Sequence, residues 1–184
     1  SFLKSTKLNF QPFQERAGPE LLSWIQNETE RILWSGSTFD HDFSLPAFNR
    51  HLKRKDVFAY SLIDSIQQLV SYGEVVSKIP SSASICRVIV NPELRGRGYG
   101  QKFCHELINL IKKKGSAKAI SLNTLATNKQ AITCYKKVGF QVIRKQRKLR
   151  SMQPGNVDII IMKMIFKWAY ITTLNRKENQ KYYG

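Results

Sequence analysis

Val88-Ile89-Val90-Asn91-Pro92-Glu93-Leu94-Arg95-Gly96-Arg97-Gly98-Tyr99-Gly100 is a β-branched run, a turn and then a loop in which glycine and arginine alternate. Gln101-Lys102-Phe103-Cys104-His105-Glu106-Leu107 follows and opens an amphipathic helix. A strand that feeds a glycine-rich loop into a helix start is built to hold phosphate. Glycine lets backbone N–H groups turn toward an anion, and the helix N-terminus adds unpaired donors and partial positive charge. Arg95 and Arg97 put two full charges at the same place.

The spacing narrows the ligand. A P-loop needs Lys-Ser or Lys-Thr after its last glycine, and Gln101-Lys102-Phe103 follows here. A dinucleotide fingerprint needs Gly-x-Gly-x-x-Gly after the first strand of a βαβ unit, whereas these glycines are spaced two and two in mid-chain. Arg-Gly repeats of RNA-binding tails are repetitive and poor in apolar residues, and this loop stands alone between apolar segments. Arg95-x-x-Gly98-x-Gly100 with its preceding strand resembles the acyl-CoA pyrophosphate loop of the GNAT acyltransferase superfamily.

A second stretch supports the resemblance. Asn128-Lys129-Gln130-Ala131-Ile132-Thr133-Cys134-Tyr135-Lys136-Lys137-Val138-Gly139-Phe140 is similar to the superfamily's later motif of Asn, Ala-Ile, Tyr and Gly-Phe. Asn128 suits a helix cap that also bonds the cofactor arm, and Gly139 suits a helix stop. Tyr135 lies two turns beyond Asn128 on one face. Read singly, Asn128 is a cap and Tyr135 a core residue. Together with the Arg95 loop they read as a cofactor site. The resemblance covers roughly residues 57–166.

The resemblance implies a single-domain α/β fold with a mixed, mostly antiparallel twisted sheet and helices on both faces. It implies an N-acetyltransferase that uses acetyl-CoA as co-substrate, with a primary amine attacking the thioester directly. Val88, Ile89 and Val90 would pair with the pantetheine arm. Arg95, Gly96, Arg97, Gly98, Tyr99, Gly100 and Gln101 would hold the pyrophosphate, with Asn128 assisting. Tyr135 would protonate the leaving thiolate. Some relatives carry a glutamate base five residues before the motif's Asn, where this chain has Asn123. Glu74 is then the candidate base, with an exposed strand glutamate as the alternative and Asp64 and Asp40 behind it. Residues 34–43, with their aromatics and two acids, read either as an acceptor wall or as a structural loop.

Length and composition bound the rest. At 184 residues with 42% hydrophobic content, the chain suits one domain: residues 1–166 as the acetyltransferase unit and 167–184 as a basic C-terminal extension. No stretch approaches the ~18 uncharged apolar residues that span a bilayer. Cys86, Cys104 and Cys134 lack metal-ligand spacing and read as reduced thiols, which predicts a cytoplasmic protein without a metal. The net charge of +17 exceeds what capture of coenzyme A needs. Arg144, Lys145, Arg147, Lys148 and Arg150 form its densest run. A solvated basic face is the favoured reading. The alternative is a non-catalytic acyl-CoA binder that docks RNA or a protein through this charge. The acceptor, protein or small molecule, and the choice between monomer and homodimer stay open.

The expected element order is β-α-α-β-β-β-α-β-α-β-β. It includes one helix from Gly18 toward Trp34, a helix capped by Ser44, and a closing antiparallel pair around Pro154-Gly155.

Overall fold

In the computed structural model, which describes residues 7–149 and 156–168, β-branched and aromatic runs form the strands. They are β1 (Asn9–Pro12), β2 (Val57–Ile63), β3 (Leu69–Val76), β4 (Ser82–Val90), β5 (Ala119–Leu125), β6 (Gln141–Leu149) and β7 (Asn156–Ile165). All seven join one sheet in the order β1-β2-β3-β4-β5-β7-β6. Every neighbouring pair is antiparallel except β4 and β5, which run parallel. The expected closing pair forms, and β7 slots between β5 and β6.

Adjacent residues of a strand point to opposite faces, and β3 shows the consequence. Tyr72 is fully buried against Phe13, Phe48 and Trp34, with ring centroids 4.8 to 6.1 Å away. This is the face covered by α1 (Gly18–Ser23), α2 (Glu28–Ser35) and α3 (Leu45–Leu52). On the other face, α4 (Tyr99–Lys114) lays Phe103 and Leu107 over Gly73, and α5 (Lys129–Lys137) packs beside α4. Helices therefore cover both faces, as expected.

The single helix expected from Gly18 toward Trp34 is two helices. The first ends at Ser23 with Trp24 as its cap, and Asn27 caps the second: its Oδ1 accepts the Glu30 N–H at 2.9 Å. Glu30 reaches back with Oε2 to the Gln26 N–H at 2.7 Å. That reciprocal pair makes a new helix start cheaper than continuing the old one. Ser44 caps α3 as expected, accepting the Ala47 N–H at 3.2 Å. Of the expected basic extension only Lys167 and Trp168 fall among the described residues, and 169–184 lie outside them. No helix among the described residues is long and apolar enough to cross a membrane.

A Cβ at Gly73 would sit 2.7 Å from the Phe103 ring and 3.1 Å from Val88 Cγ2. Phe103 is fully buried and has nowhere to go. Gly73→Ala should therefore destabilise the fold by about 1–3 kcal/mol through overpacking, read from the urea midpoint. An unchanged midpoint would mean that α4 sits less tightly on the sheet.

Candidate active site

The site begins where β4 and β5 part. They pair only at Ser82 with Ala119, Ala83 with Ile120 and Ser84 with Ser121. The two hydroxyls of the last rung are 2.9 Å apart. On the other side β4 stays bound to β3, where the Asn91 N–H donates to the Val70 carbonyl at 2.9 Å. Antiparallel pairing alternates, so Val90, and Val88 two residues before it, turn their N–H and C=O toward the opening gap. A cavity of about 650 Å³ lies along that edge of β4, with α5 rather than β5 on its other side.

The glycine loop forms one end. Buried Asn91 fixes the turn: its Oδ1 accepts the Glu93 N–H and its Nδ2 donates to the Leu69 carbonyl, both at 3.1 Å. Gly96 and Gly98 have φ of +77° and +83°, a region that side chains rarely enter. Gly98 leads into α4 with no side-chain cap. The first N–H groups of this sixteen-residue helix, those of Tyr99, Gly100 and Gln101, have no intrahelical acceptor. They supply the donors and partial charge that an anion needs. Arg95 lies at the cavity and donates from Nε to the Val90 carbonyl at 3.3 Å.

Of the residues expected to hold the cofactor, Val88, Ile89, Val90, Arg95, Gly96, Gly98, Tyr99, Gly100, Gln101 and Asn128 line the cavity. Arg97 does not; its side chain is exposed outside the lining. Asn128 accepts the Ala131 N–H at 3.2 Å and so caps α5. Tyr135 lines the cavity, with its ring against Phe140 at 6.1 Å and no hydrogen bond from its hydroxyl to a described residue. Burial, with Cys104, Cys134 and Cys86 nearby, pushes the phenol well above its usual pKa of 10.0. The phenol is therefore protonated throughout the physiological range.

Sequence reasoning missed the opposite wall. Trp24 and Ile25, just beyond α1, and Glu30, Leu33 and Trp34 of α2 line that side. Among the described residues Glu30 is its one carboxylate. From residues 34–43 only Trp34 reaches the cavity. Phe39 is core, and the two acids are ion-paired, Asp40 with Arg31 at 2.9 Å and Asp42 with Arg50 at 3.1 Å. Asp64 accepts the Ile66 and Gln68 N–H groups of a turn. Among the described residues no cluster of His, Cys, Asp or Glu is arranged to hold a metal.

Glu74 is neither the exposed strand residue nor the cavity-facing base of the sequence reading. It is fully buried and absent from the lining. Its oxygens accept from the Tyr72 hydroxyl at 2.7 Å and from Arg87 Nε at 2.7 Å, and His51 Nε2 lies 3.0 Å from both. Burial alone would raise its pKa, but the His51 and Arg87 bonds outweigh it and hold the carboxyl below the ordinary 4.5. Its acceptor positions are already in use, so it is not placed to take a proton from a cavity amine. The depressed pKa means that its contribution to stability is complete above about pH 4.5 and is lost as pH falls toward the folded value. The urea midpoint of the protein should therefore fall on acidification below pH 4.5, and that of Glu74→Gln should fall less steeply. Parallel curves would mean that the network does not bind an ionised carboxylate.

The chain is similar to known N-acetyltransferases. An uncharacterized N-acetyltransferase, ycf52, of Porphyra purpurea is 31% identical over 77 residues. That match spans 42% of each chain, less than half the relative's length. The ribosomal protein bS18-alanine N-acetyltransferase of Escherichia coli (strain K12) is 27% identical over 138 residues, 75% of this chain and 84% of that one. Its Escherichia coli crystal counterpart superposes with a TM-score of 0.66 at 18% identity, covering 86% of this chain and 94% of that one. The spermidine N-acetyltransferase of Vibrio cholerae, solved with CoA and spermine, gives 0.72 at 16% identity, covering 86% and 95%. These two structures speak for the fold. The model of the acetyltransferase (GNAT) family matches residues 20–140, more than half of the chain, and the protein belongs to that family.

Proposed function

We propose that this protein transfers the acetyl group of acetyl-CoA to a primary amine. One observation carries the reading: the β4 edge that has left β5, the uncapped start of α4 and Tyr135, whose hydroxyl bonds no described residue, all line one cavity. The diphosphate would rest on the N–H groups at the start of α4, and the pantetheine amides would complete the ladder of Val88 and Val90. The thioester end would lie toward Tyr135.

In the reaction the amine nitrogen forms a bond to the thioester carbonyl carbon, and the C–S bond breaks. The ammonium proton leaves to water, because Glu74 is enclosed and Glu30, the carboxylate of the described lining, is held by the Gln26 N–H at the start of α2. The Tyr135 O–H supplies the proton to the departing sulfur and is reprotonated from solvent. The dry surroundings that raise the phenol pKa also raise that of a thiol beside it, so burial disfavours both anions. Most of the rate gain would come from holding donor and amine together.

For the acceptor, the relatives named above act on a protein alanine and on spermidine. A field of +17 repels a free polyamine, which leaves a protein N-terminus or an amine with an uncharged tail as the first choice. Glu30 adds the local negative potential that an ammonium needs at the wall. Three free thiols suit a reducing compartment such as the cytoplasm.

Thiol release measured over a panel of peptide N-termini, lysine and small amines tests the reading. Turnover on at least one amine is expected, and acetyl-CoA binding without turnover on any would contradict it. Gly98→Asp forces a side chain into a φ of +83° and sets a carboxylate where the diphosphate would lie. Calorimetry should show acetyl-CoA affinity falling about a hundredfold or more, while Arg97→Ala stays within about threefold. Tyr135→Phe should lower kcat about a hundredfold with little change in acetyl-CoA affinity. An unchanged kcat would return Tyr135 to a packing role.

A further inference from the structure

Arg87 sits within β4 with φ +50°, a left-handed conformation that disfavours any residue with a Cβ. The register explains why. Glu74 opposes Cys86 and Tyr72 opposes Ile89, so Arg87 and Val88 both face Gly73 alone, as in a β-bulge. Glycine is the usual occupant of such a position. Here the conformation is held from outside. Arg87 Nε donates to Glu74 at 2.7 Å, and a terminal guanidinium nitrogen reaches Thr38 Oγ at 3.2 Å. The Arg87 carbonyl accepts the Trp34 indole N–H at 2.8 Å. Glu74 is itself fixed by His51 and Tyr72. Strain of this kind persists only where the surroundings over-determine it.

The place of the bulge matters more than its cost. The pairing of β4 with β5 ends at Ser84, and the bulge falls at residues 87–88, immediately before the backbone that faces the cavity. We infer that Glu74 is a positioning residue: through Arg87 it locks the bulge that aims the free edge of residues 88–90 into the acyl-donor gap. The same lock ties that edge to the opposite wall, because Trp34 both lines the cavity and donates to Arg87. The inference rests on the acyl-transfer reading only for its kinetic readout.

Two substitutions at one position separate backbone from charge. Arg87→Gly and Arg87→Ala both remove the guanidinium, but only glycine accepts φ +50° without strain. If the bulge is what matters, Arg87→Gly keeps kcat within about threefold and Arg87→Ala loses about tenfold or more. Equal losses in both would overturn the inference, since they would trace the effect to charge. Glu74→Gln should lower kcat more than it changes the KM for acetyl-CoA, and Glu74→Gln/Arg87→Gly should recover most of the loss. A double variant as poor as Glu74→Gln would instead make Glu74 a direct proton acceptor.

A second readout needs no turnover. The chain has three tryptophans, so the indole N–H signals are few enough to assign. The Trp34 indole signal should shift in Glu74→Gln and in Arg87→Ala, and should return close to its native position in Arg87→Gly. A Trp34 signal unmoved in Arg87→Ala would overturn the inference even if the wild type acetylates nothing. Failure of the wild type on every amine, with the Trp34 pattern as stated, would count against the acyl-transfer reading alone.

Discussion

Two parallel strands that pair for three residues and then separate leave backbone donors and acceptors with no partner inside the sheet. Such groups are costly to enclose unless something bonds them. Everything around the cavity follows from that opening. The loop after β4 delivers α4 with an uncapped start at one end of the gap. The helix after β5 delivers Tyr135 partway along it. The helices before β2 close the far wall with Trp24, Ile25 and Trp34. A ligand that combines an anionic end with a chain of amides answers each of these features at once.

Keeping the strands apart takes more than a missing ladder. A carboxylate as deeply enclosed as Glu74 is tolerated only when paired and bonded, and its partners come from α3, β3 and β4. The network therefore spans from the helical layer through the sheet at the point where β4 bulges. The wider positive charge plays no part in it. Lys145 and Arg147 on β6 are exposed and share Asp158 of β7, at the opposite end of the sheet order from β1.

What the sequence made legible was what backbone chemistry dictates locally. The bounds of β2 and β5 agree with the hydrophobic runs, and Gly115 and Gly139 stop their helices with positive φ. The glycine loop and the Asn128-to-Tyr135 spacing were readable because each is contained in a few consecutive residues. Side-chain destinations set by distant partners were not. Nothing near Glu74 announces His51, twenty-three positions earlier, or Arg87, thirteen positions later. Asp40 and Asp42 looked available for a substrate until Arg31 and Arg50 were found beside them. Arg95 and Arg97 were equivalent in a pattern of alternating glycines, and only the turn of the loop sends one to the cavity and the other to solvent. The helix start at Asn27 was written in the sequence as a capping pair with Glu30, but apolar periodicity masked it.

The central claim is that the parted edge of β4 and the start of α4 together receive an acyl-CoA. Amide resonances followed by NMR during titration with acetyl-CoA test it most directly. The account predicts the largest changes at Val88, Val90, Tyr99, Gly100 and Gln101, with Arg144 and Arg147 of β6 unmoved. Changes confined to the basic residues of β6, with the β4 and α4 amides unperturbed, would contradict it.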